Sequence, residues 1–575
     1  MKYGAIGAAV VVFLLALTPV SDFDIWFHLT EGRTIIEEGR FPYTDEYSYT
    51  AFGEPSYPNS WGFTALSYVA ERAVGLRGLN AIKALAVAAL FAVYAAYAYW
   101  RRSLSWLWLT YSAVVFFTIR ESLSLRPHTF AYVLLAIVLI LLEEYRRRRD
   151  ARLLLPLVVV QFIWVNIHAS FLWGITLTVF TLAGIWMQEK RLTKVDIWLG
   201  VGVAAVSLLH VFYGYTFIVR LIQEFFTPGA YQVPVRELLA PGIVDVLTLR
   251  AGVLIIGIGI VFRLALKKRH YAVMASLIFF TILAARSIRF ASDLAIFLVF
   301  ATALYAPVVE DMVRKRYSWY TKSFARGAAI AICVLLVFAA RVMPPRIGNI
   351  GLTPFTYPIA AVDFIKQHRL LEESSGNLYN TYNFGGYLMW ALPEHPVFID
   401  GRLRPYHNGT FQRYWDNFSG AESWQETVER YSVTVALMTL PHQQQGVLYN
   451  SSAAMFLPDT WALIYMDDVA AVYARRTPEL ADAIATYELH YIEPQQLDMT
   501  YIQSRITDEE SLQSALDEIN RTLELVPTSY RLHFLRAYVF HLAGDTASAK
   551  QDLETTLRIN PDFTPAQTVL AALSY

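Results

Sequence analysis

The sequence has little of what a soluble or disulfide-bonded protein needs. Its one cysteine, Cys333, excludes internal disulfides and a cysteine-based zinc site. Only 17% of the 575 residues are charged, below the quarter or so that is usual in soluble domains, whereas 55% are hydrophobic. The formal net charge is zero, so no charge imbalance points to a nucleic acid partner. The apolar excess indicates that a bilayer, rather than water, surrounds much of the chain.

Apolar runs recur along the first 343 residues, and a helix needs about 20 such residues to cross a hydrocarbon core. The first run lacks an A-x-A-like cleavage site, so we interpret it as an uncleaved anchor rather than a signal peptide. The pattern predicts an α-helical polytopic membrane domain over residues 1–343. Its eleven predicted transmembrane helices lie near residues 3–20, 80–100, 104–119, 128–145, 152–170, 171–187, 196–214, 247–266, 271–285, 290–308 and 327–343.

The positions of the basic residues predict how this domain is oriented. With a cytoplasmic N-terminus, alternate loops on the inner side hold nearly every basic cluster between the predicted helices, which agrees with the positive-inside rule. An odd number of crossings then places residues 344–575 on the outer side.

Ionisable and amide side chains near the helix ends gather on that predicted outer side. Such residues at membrane depth are costly and usually functional. They come from separate connections of the chain: Asp22, Asp24, His28, Arg126, His128, Asn166, His168, Arg286 and Arg289.

Structural interpretations of these residues are also open. Asp22 is a favoured type of residue for capping the following helix. His128 and His168 are candidates for hydrogen-bonded polar residues within a helix bundle. Arginines near helix ends commonly extend to lipid headgroups, and Arg289 could form an ion pair with Asp293, one turn further along.

The functional interpretation is chemistry on an anionic substrate held in the lipid. A carboxylate in the first outer loop would act as general base toward an acceptor hydroxyl, or would hold a divalent cation. Arginines would bind phosphate oxygens and stabilise a departing phosphate.

These motifs resemble the GT-C superfamily of lipid-linked-sugar glycosyltransferases, which includes protein O-mannosyltransferases and lipid A aminoarabinose transferases. The acidic motif would be Asp22 and Asp24 within Asp-Phe-Asp-Ile-Trp-Phe-His, followed by residues 39–45. More closely, the chain resembles a group of bacterial membrane proteins with R-P-x, N-x-H-x-S/G and F-I-D-G-R segments. Here these segments are residues 126–128, 166–170 and 398–402, and the resemblance covers most of residues 20–440.

The resemblance implies a glycosyltransferase with a polyprenyl-phosphate sugar donor and inverting transfer to an extracytoplasmic protein or glycan. Asp24 or Asp22 would be the base or a metal ligand, with His28 as a further catalytic residue. Some members need a metal and others do not, so Mg²⁺ or Mn²⁺ at Asp22 and Asp24 stays one alternative. The substrate-binding and phosphate-binding residues would be Arg126, His128, Asn166, His168, Arg286, Arg289, Asp400 and Arg402. The expected location is the bacterial inner membrane, with the C-terminal region in the periplasm.

After residue 343 the composition becomes that of a water-soluble region. Residues 358–369 have helical spacing, residues 377–381 and 396–399 are predicted strands, and Gly385-Gly386 indicates a turn or a close approach. These features predict an external α/β domain over residues 344–480. Asp400 and Arg402 follow the second strand, where a β-turn at Asp400-Gly401 is the structural alternative.

Residues 481–575 are predicted to form helical hairpins of the tetratricopeptide type, with the last helix ending at Tyr575. Pro527 and Pro561 stand 34 residues apart, as do Ala515 and Ala549, which is the period of that repeat. Two repeats are too few for independent stability, so we expect them to pack on the α/β domain. Such repeats bind protein partners.

The repeats also support an alternative of a different class, a non-catalytic membrane scaffold or assembly subunit that holds a partner through them. A transporter is disfavoured because no polar residues at membrane depth complete a pathway from the inner side, and no paired broken helices are visible in the sequence.

Overall fold

The structure is a computed structural model. It describes residues 1–56, 58–226, 239–343, 346–348, 350–418, 420–440, 455–494 and 500–573. They form two compact units, one of residues 1–41 and 58–352 and the other of residues 42–57 and 353–575. A short piece of the first loop therefore belongs to the second unit. The domain start that we predicted at residue 344 and the helix end at Tyr575 lie outside the described residues.

The first unit consists of helices packed around one large apolar core. The helices are α1 (Lys2–Ala16), α2 (Asp24–Glu37), α3 (Trp61–Trp100), α4 (Trp106–Thr118), α5 (Pro127–Arg148), α6 (Leu154–Ile167), α7 (Leu172–Glu189), α8 (Lys194–Ser207), α9 (Thr216–Phe226), α10 (Ile243–Val246), α11 (Leu249–Lys267), α12 (Tyr271–Arg286), α13 (Ala291–Arg316) and α14 (Lys322–Val342).

Each of the eleven predicted apolar runs coincides with one of these helices. In the described part of the chain, six helices are long and apolar enough to cross a bilayer, namely α3, α5, α7, α11, α13 and α14. The apolar helices α1, α4, α6 and α12 are shorter. The chain is thus a mainly helical integral membrane protein, and the count of eleven crossings stays a prediction. Helix α3 begins well before the predicted run and is kinked at Gly75, whose φ of 68° is outside the helical range.

The second unit has a small sheet surrounded by helices. Its elements are α15 (Ile359–Gln367), α16 (Leu370–Glu373), β1 (Asn377–Asn380), α17 (Gly385–Ala391), α18 (Thr410–Asp416), α19 (Ala421–Arg430), β2 (Val433–Thr439), β3 (Trp461–Met466), β4 (Ala470–Arg475), α20 (Ala481–Tyr487), α21 (Thr500–Arg505), α22 (Glu509–Leu525), α23 (Tyr530–Leu542), α24 (Thr546–Ile559) and α25 (Thr564–Ala572).

The sheet has the strand order β1-β2-β4-β3, in which β1 and β2 are parallel and the other pairs are antiparallel. The strand predicted over residues 396–399 is not a regular strand, because its backbone pairs with the first-loop piece instead. Val397 forms an isolated parallel bridge to Ser48 and exchanges backbone hydrogen bonds with Tyr47 and Tyr49. Of the two predictions for Gly385, the close approach is observed, since a Cβ there would lie 2.0 Å from the carbonyl oxygen of Ile399.

The C-terminal helices pack as hairpins and are held to the sheet by a buried carboxylate. Asp468, in the turn between β3 and β4, accepts hydrogen bonds from the Ser529 hydroxyl (2.9 Å) and from the backbone N–H groups of Tyr530 (3.1 Å) and Arg531 (3.0 Å). The start of α23 is therefore capped from outside its own sequence. Their assignment as tetratricopeptide repeats stays a prediction.

Candidate active site

The acidic motif lies where α2 begins, and its two carboxylates share one guanidinium. Arg126 Nε forms an ion pair with Asp22 and lies 3.1 Å from Asp24 Oδ2. Arg126 precedes Pro127, the first residue of α5. Its backbone is extended, because a residue before proline avoids helical geometry. The side chain of Asp22 is 4% exposed and that of Asp24 is 30% exposed. Asp24 is thus the carboxylate that a substrate can reach.

Asp22 is not the N-cap of α2, which is Phe23, but it makes a hydrogen bond at the start of that helix in addition to its ion pair. Its Oδ1 accepts the backbone N–H of Asp24 at 3.0 Å. The hydrogen bond holds the chain in the turn that starts α2 and thereby orients Asp24. Asp22 therefore holds the motif in position, whereas Asp24 is the carboxylate that is exposed to a substrate.

Lys83 is a fourth charged group near this motif, and our sequence reasoning missed it. Its side chain lies within α3, is 1% exposed, and donates to the Thr18 carbonyl (3.3 Å) and hydroxyl (3.1 Å). Its charge acts on Asp22. The signal was present, because a lysine inside a predicted transmembrane run is costly unless it has a role. Two cations thus balance the two carboxylates.

His28 is buried beside the motif as an uncharged imidazole. Its Nδ1 lies 2.8 Å from the Thr64 hydroxyl, and its ring packs edge-on against Phe63. Burial lowers the pKa of His28 to about 3; the charge of Asp22 opposes this shift and that of Arg126 adds to it. At neutral pH His28 can donate or accept a hydrogen bond, but it does not supply a positive charge.

The imidazoles of His128 and His168 lie near each other, with ring centroids 6.2 Å apart. His128 Nε2 lies 2.9 Å from the carbonyl oxygen of Ser122, which can only accept, so Nε2 carries the proton. His168 Nδ1 accepts the backbone N–H of Ser170 at 3.1 Å, so its proton is on Nε2. Both tautomers of the neutral rings are therefore set by the surrounding structure.

Arg289 is an exposed cation close to this pair. Its charge acts on both His128 and His168. The alternative of an ion pair with Asp293 is not observed. Asp293 Oδ1 accepts the indole N–H of Trp173 at 2.9 Å, while the charge of Arg289 acts on Asp293 without an ion-pair contact. Within the described part of the chain, Arg289 has neither an ion pair nor a side-chain hydrogen bond.

Two further arginines flank Arg289. Arg250, which the sequence reasoning did not select, donates from Nη2 to the carbonyl of Ile288 at 3.1 Å and so fixes the backbone beside Arg289. Arg286 is exposed at the end of α12. A basic edge therefore surrounds the backbone that joins α12 to α13.

The side chain of Asn166 forms hydrogen bonds within the protein. Its Oδ1 accepts the indole N–H of Trp61 (2.8 Å) and the backbone N–H of Val211 (2.9 Å), while Nδ2 donates to the carbonyl of Phe162 (2.9 Å). These bonds join the ends of α3 and α6 to the turn after α8. The amide that we predicted to bind phosphate is thus largely committed within the protein.

The residues do not suit a resident divalent cation in this arrangement. The predicted ligands Asp22 and Asp24 are already bound by Arg126, and a cation between them would have to displace that guanidinium. Among the described residues, no group of three or more His, Cys, Asp or Glu side chains could hold a metal ion.

Asp400 and Arg402 lie in the second unit, within a buried ion cluster that also contains Asp45 from the first loop. Arg402 Nη2 lies 2.6 Å from both Asp45 Oδ1 and Asp400 Oδ2, and Arg402 Nε donates to Asp400 Oδ1 at 2.8 Å. Both carboxylates are fully buried and the guanidinium is 5% exposed. The F-I-D-G-R segment thus joins the first-loop piece to the α/β module, and the turn at Asp400 is present, with Oδ1 accepting the Arg402 N–H at 2.9 Å.

The pKa values of the two carboxyl groups in this cluster shift in opposite directions. Burial raises the pKa of Asp45 despite the charge of Arg402. Burial also disfavours ionisation of Asp400, but the charge and hydrogen bonds of Arg402 and the hydroxyl of Tyr406 outweigh it and lower the pKa of Asp400. Arg402 therefore stabilises the ionised form of Asp400 more than that of Asp45.

Comparison with known proteins gives a result for the fold. No protein-family model matches the chain, and no curated protein matches it. Among solved structures, the chain is similar to the archaeal oligosaccharyltransferase AglB from Archaeoglobus fulgidus in complex with an inhibitory peptide and a dolichol-phosphate, with a TM-score of 0.54 and 12% identity over 94% of this chain and 86% of that one.

The same oligosaccharyltransferase in the apo form matches with a TM-score of 0.53 and 12% identity, again over 94% of this chain and 86% of that one. Its complex with Zn and sulfate matches with a TM-score of 0.52 and 14% identity over 94% and 85%. This likeness extends over nearly the whole chain. The chain therefore shares the fold of this oligosaccharyltransferase.

Proposed function

We propose that this chain is a membrane glycosyltransferase that transfers a sugar from a polyprenyl-phosphate donor to an extracytoplasmic acceptor. The observation that carries the proposal is the partly exposed Asp24, oriented by Asp22 and Arg126 at the start of α2. The GT-C fold supports it, because the similar archaeal oligosaccharyltransferase was solved with a dolichol-phosphate and a peptide.

Asp24 is the proposed general base. Its carboxylate accepts the proton of an acceptor hydroxyl while the hydroxyl oxygen attacks the anomeric carbon of the sugar. The bond between that carbon and the phosphate oxygen breaks, and the polyprenyl phosphate leaves with the electron pair. Attack opposite the leaving group inverts the anomeric configuration. A positioned base contributes about 10²-fold to 10⁴-fold to such a step.

Arg126 and Lys83 have the proposed task of balancing the negative charge of the motif. Two carboxylates this close repel each other, and a cation between them offsets that repulsion. Arg126 supplies that charge directly, and Lys83 supplies it from the buried side. The similar oligosaccharyltransferase was also solved with Zn and sulfate, whereas here a guanidinium stands between the carboxylates. We propose that transfer by this chain does not require a divalent cation.

Arg289 is the proposed ligand of the donor phosphate. It is exposed and has no ion pair among the described residues, so its charge is available to an anion. A guanidinium binds phosphate oxygens in a fork and stabilises the charge that develops as the phosphate leaves. Arg286 is proposed to contribute to the same basic edge. The C-terminal helical hairpins are proposed to bind a protein acceptor or partner.

The test is transfer by the full-length protein in proteoliposomes. Lipid extract from the source cells, labelled in its sugars, provides the donor, and the release of label from the lipid fraction is followed with and without EDTA. We expect Asp24→Asn to lose about 10²-fold or more of the activity. The control is Asp459→Asn, which removes a carboxylate from an exposed position in the second unit.

Full activity of Asp24→Asn would exclude the assigned base, and no release by the wild type would reject the transferase. If EDTA abolished the activity and Mg²⁺ or Mn²⁺ restored it, the proposal that no divalent cation is required would be refuted. The transferase proposal itself would stand.

A further inference from the structure

His128 and His168 together leave two nitrogen atoms of opposite hydrogen-bonding character without a partner. In His128, Nε2 donates to the Ser122 carbonyl, so the neutral ring leaves Nδ1 as an acceptor. In His168, Nδ1 accepts from Ser170, so the neutral ring leaves Nε2–H as a donor. Among the described residues, neither His128 Nδ1 nor His168 Nε2 has a hydrogen-bond partner.

The tautomer of His168 is held by a relay as well as by the backbone. The indole N–H of Trp164 donates to the Ser170 hydroxyl at 3.1 Å, and that hydroxyl lies 2.7 Å from His168 Nδ1. With its oxygen engaged as acceptor, the hydroxyl donates its own proton to Nδ1. Two donors thus converge on Nδ1 and keep the proton of the neutral ring on Nε2.

This pairing selects against phosphate and in favour of a hydroxyl group. The phosphodiester of a polyprenyl-phosphate sugar carries no proton at neutral pH, so its oxygens can accept from His168 but would repel the lone pair of His128 Nδ1. A hydroxyl accepts at its oxygen and donates its proton, which satisfies both nitrogen atoms. A sugar carries several adjacent hydroxyls.

We infer that His128 and His168 bind the sugar hydroxyls of the lipid-linked donor, while Arg289 beside them binds its phosphate. The inference rests on the proposed function and changes one part of our sequence prediction, which assigned both histidines to phosphate. The charge of Arg289 acts on both imidazoles, so the three side chains lie near one another and could contact adjoining parts of one donor. The two histidines are thus determinants of which sugar is accepted.

Two substitutions remove one free nitrogen each and keep the contact on the other side of the ring. His128→Gln retains an N–H near the position of Nε2 for the Ser122 carbonyl but lacks the Nδ1 acceptor. His168→Asn retains an acceptor near the position of Nδ1 for the Ser170 N–H but lacks the Nε2 donor. The exposed His407→Gln in the second unit is the control.

The measurement is binding of undecaprenyl phosphate, undecaprenyl-phosphate mannose and undecaprenyl-phosphate glucose to the full-length protein in nanodiscs. We expect the wild type to bind at least one of the two glycosylated lipids more tightly than undecaprenyl phosphate. Each histidine variant should lose about 2-fold to 12-fold of that preference, the usual range for one hydrogen bond, with unchanged affinity for undecaprenyl phosphate.

Four results would overturn the inference. Equal weakening of all three lipids would show that the histidines contact the phosphate. Unchanged binding of all three lipids by both variants would show that they contact neither part. A wild type that binds undecaprenyl phosphate but shows no preference for either sugar would remove the hydroxyl site and leave the transferase proposal standing. A wild type that binds none of the three lipids would reject the proposed donor class, and the inference with it.

Discussion

The buried ion cluster of the second unit offers a stability prediction with a definite magnitude. Arg402→Met removes the one guanidinium that lies 2.6 Å from both Asp45 and Asp400, whose side chains are fully buried. Removal of one partner from a buried ion pair costs about 3–5 kcal/mol, because the remaining charge has no compensation. The variant can limit this cost by protonating a carboxyl group. Protonation of an aspartate costs about 1.36 kcal/mol for each pH unit above its usual pKa, which is about 4 kcal/mol for each aspartate at pH 7.

The pH dependence of the cost follows from the same reasoning. Without Arg402, burial raises the carboxyl pKa values in the folded state above those of the unfolded chain. The folded variant then binds more protons than the unfolded one, so its stability falls as pH rises through that interval. We expect the difference between wild type and Arg402→Met to be largest at pH 7 and to shrink by about 2 kcal/mol or more at pH 5.

Hydrogen exchange of the full-length protein measures the effect where it occurs. The backbone N–H groups of β2 lie at the centre of the affected unit, and a loss of 3–5 kcal/mol would speed their exchange by about 10²-fold to 10⁴-fold if they exchange through opening of that unit. Lys366→Met is the control, since it removes a positive charge from an exposed site of the same unit. Combining Arg402→Met with Asp45→Asn and Asp400→Asn should restore part of the protection. A change below about fivefold at pH 7, or no restoration in the triple variant, would refute the reasoning.

Three more outcomes are expected. Arg289→Gln should weaken binding of undecaprenyl phosphate by about 10-fold to 150-fold, the value of a hydrogen bond to a charged group, whereas the exposed Arg326→Gln should not; equal affinity of both variants would exclude Arg289 as the phosphate ligand. Asn166→Ala leaves the Trp61 indole N–H unpaired and should destabilise the first unit by about 1–3 kcal/mol, measured as earlier thermal unfolding in detergent; an unchanged midpoint would contradict this. Burial raises the pKa of Asp468 to about 6, so this carboxyl group makes α23 less stable as pH rises from about 4 through 6. Hydrogen exchange of the α23 amides should therefore depend on pH in the wild type, and Asp468→Asn should abolish this dependence. The same pH dependence in both proteins would contradict the prediction.

Several features of the protein could be predicted because they depend on local sequence. Each of the eleven apolar runs is a helix, since burial of about 20 apolar residues leaves the backbone no other way to satisfy its hydrogen bonds in a membrane. The start of α5 at Pro127 and the hydrogen bond from the Asp24 N–H to Asp22 also follow from the preferences of single residues. The resemblance of the motifs to the GT-C superfamily was likewise accessible from the sequence, and the chain is similar in fold to a solved oligosaccharyltransferase.

Other features were decided only by contacts between distant parts of the chain. Arg126 and Lys83 lie 104 and 61 residues beyond Asp22, and no local pattern shows that their charges act on it. The strand predicted at residues 396–399 is instead paired with residues 47–49, because the first-loop piece supplies its hydrogen bonds. The tautomers of His128 and His168 depend on Ser122 and Ser170, whose orientation the sequence does not specify.

The sequence by itself therefore determined which segments are helices, the resemblance of its motifs to the GT-C superfamily, and which residues to examine. The tertiary structure decided how those residues pair: Asp24 reachable beside a committed Asp22, Arg289 available to an anion, and Asp400 and Arg402 joined in a buried cluster. The physical reason is that helix formation is governed by hydrophobicity and hydrogen bonding within one segment. The charge, burial and protonation of a side chain are governed by neighbours that only the folded chain brings close.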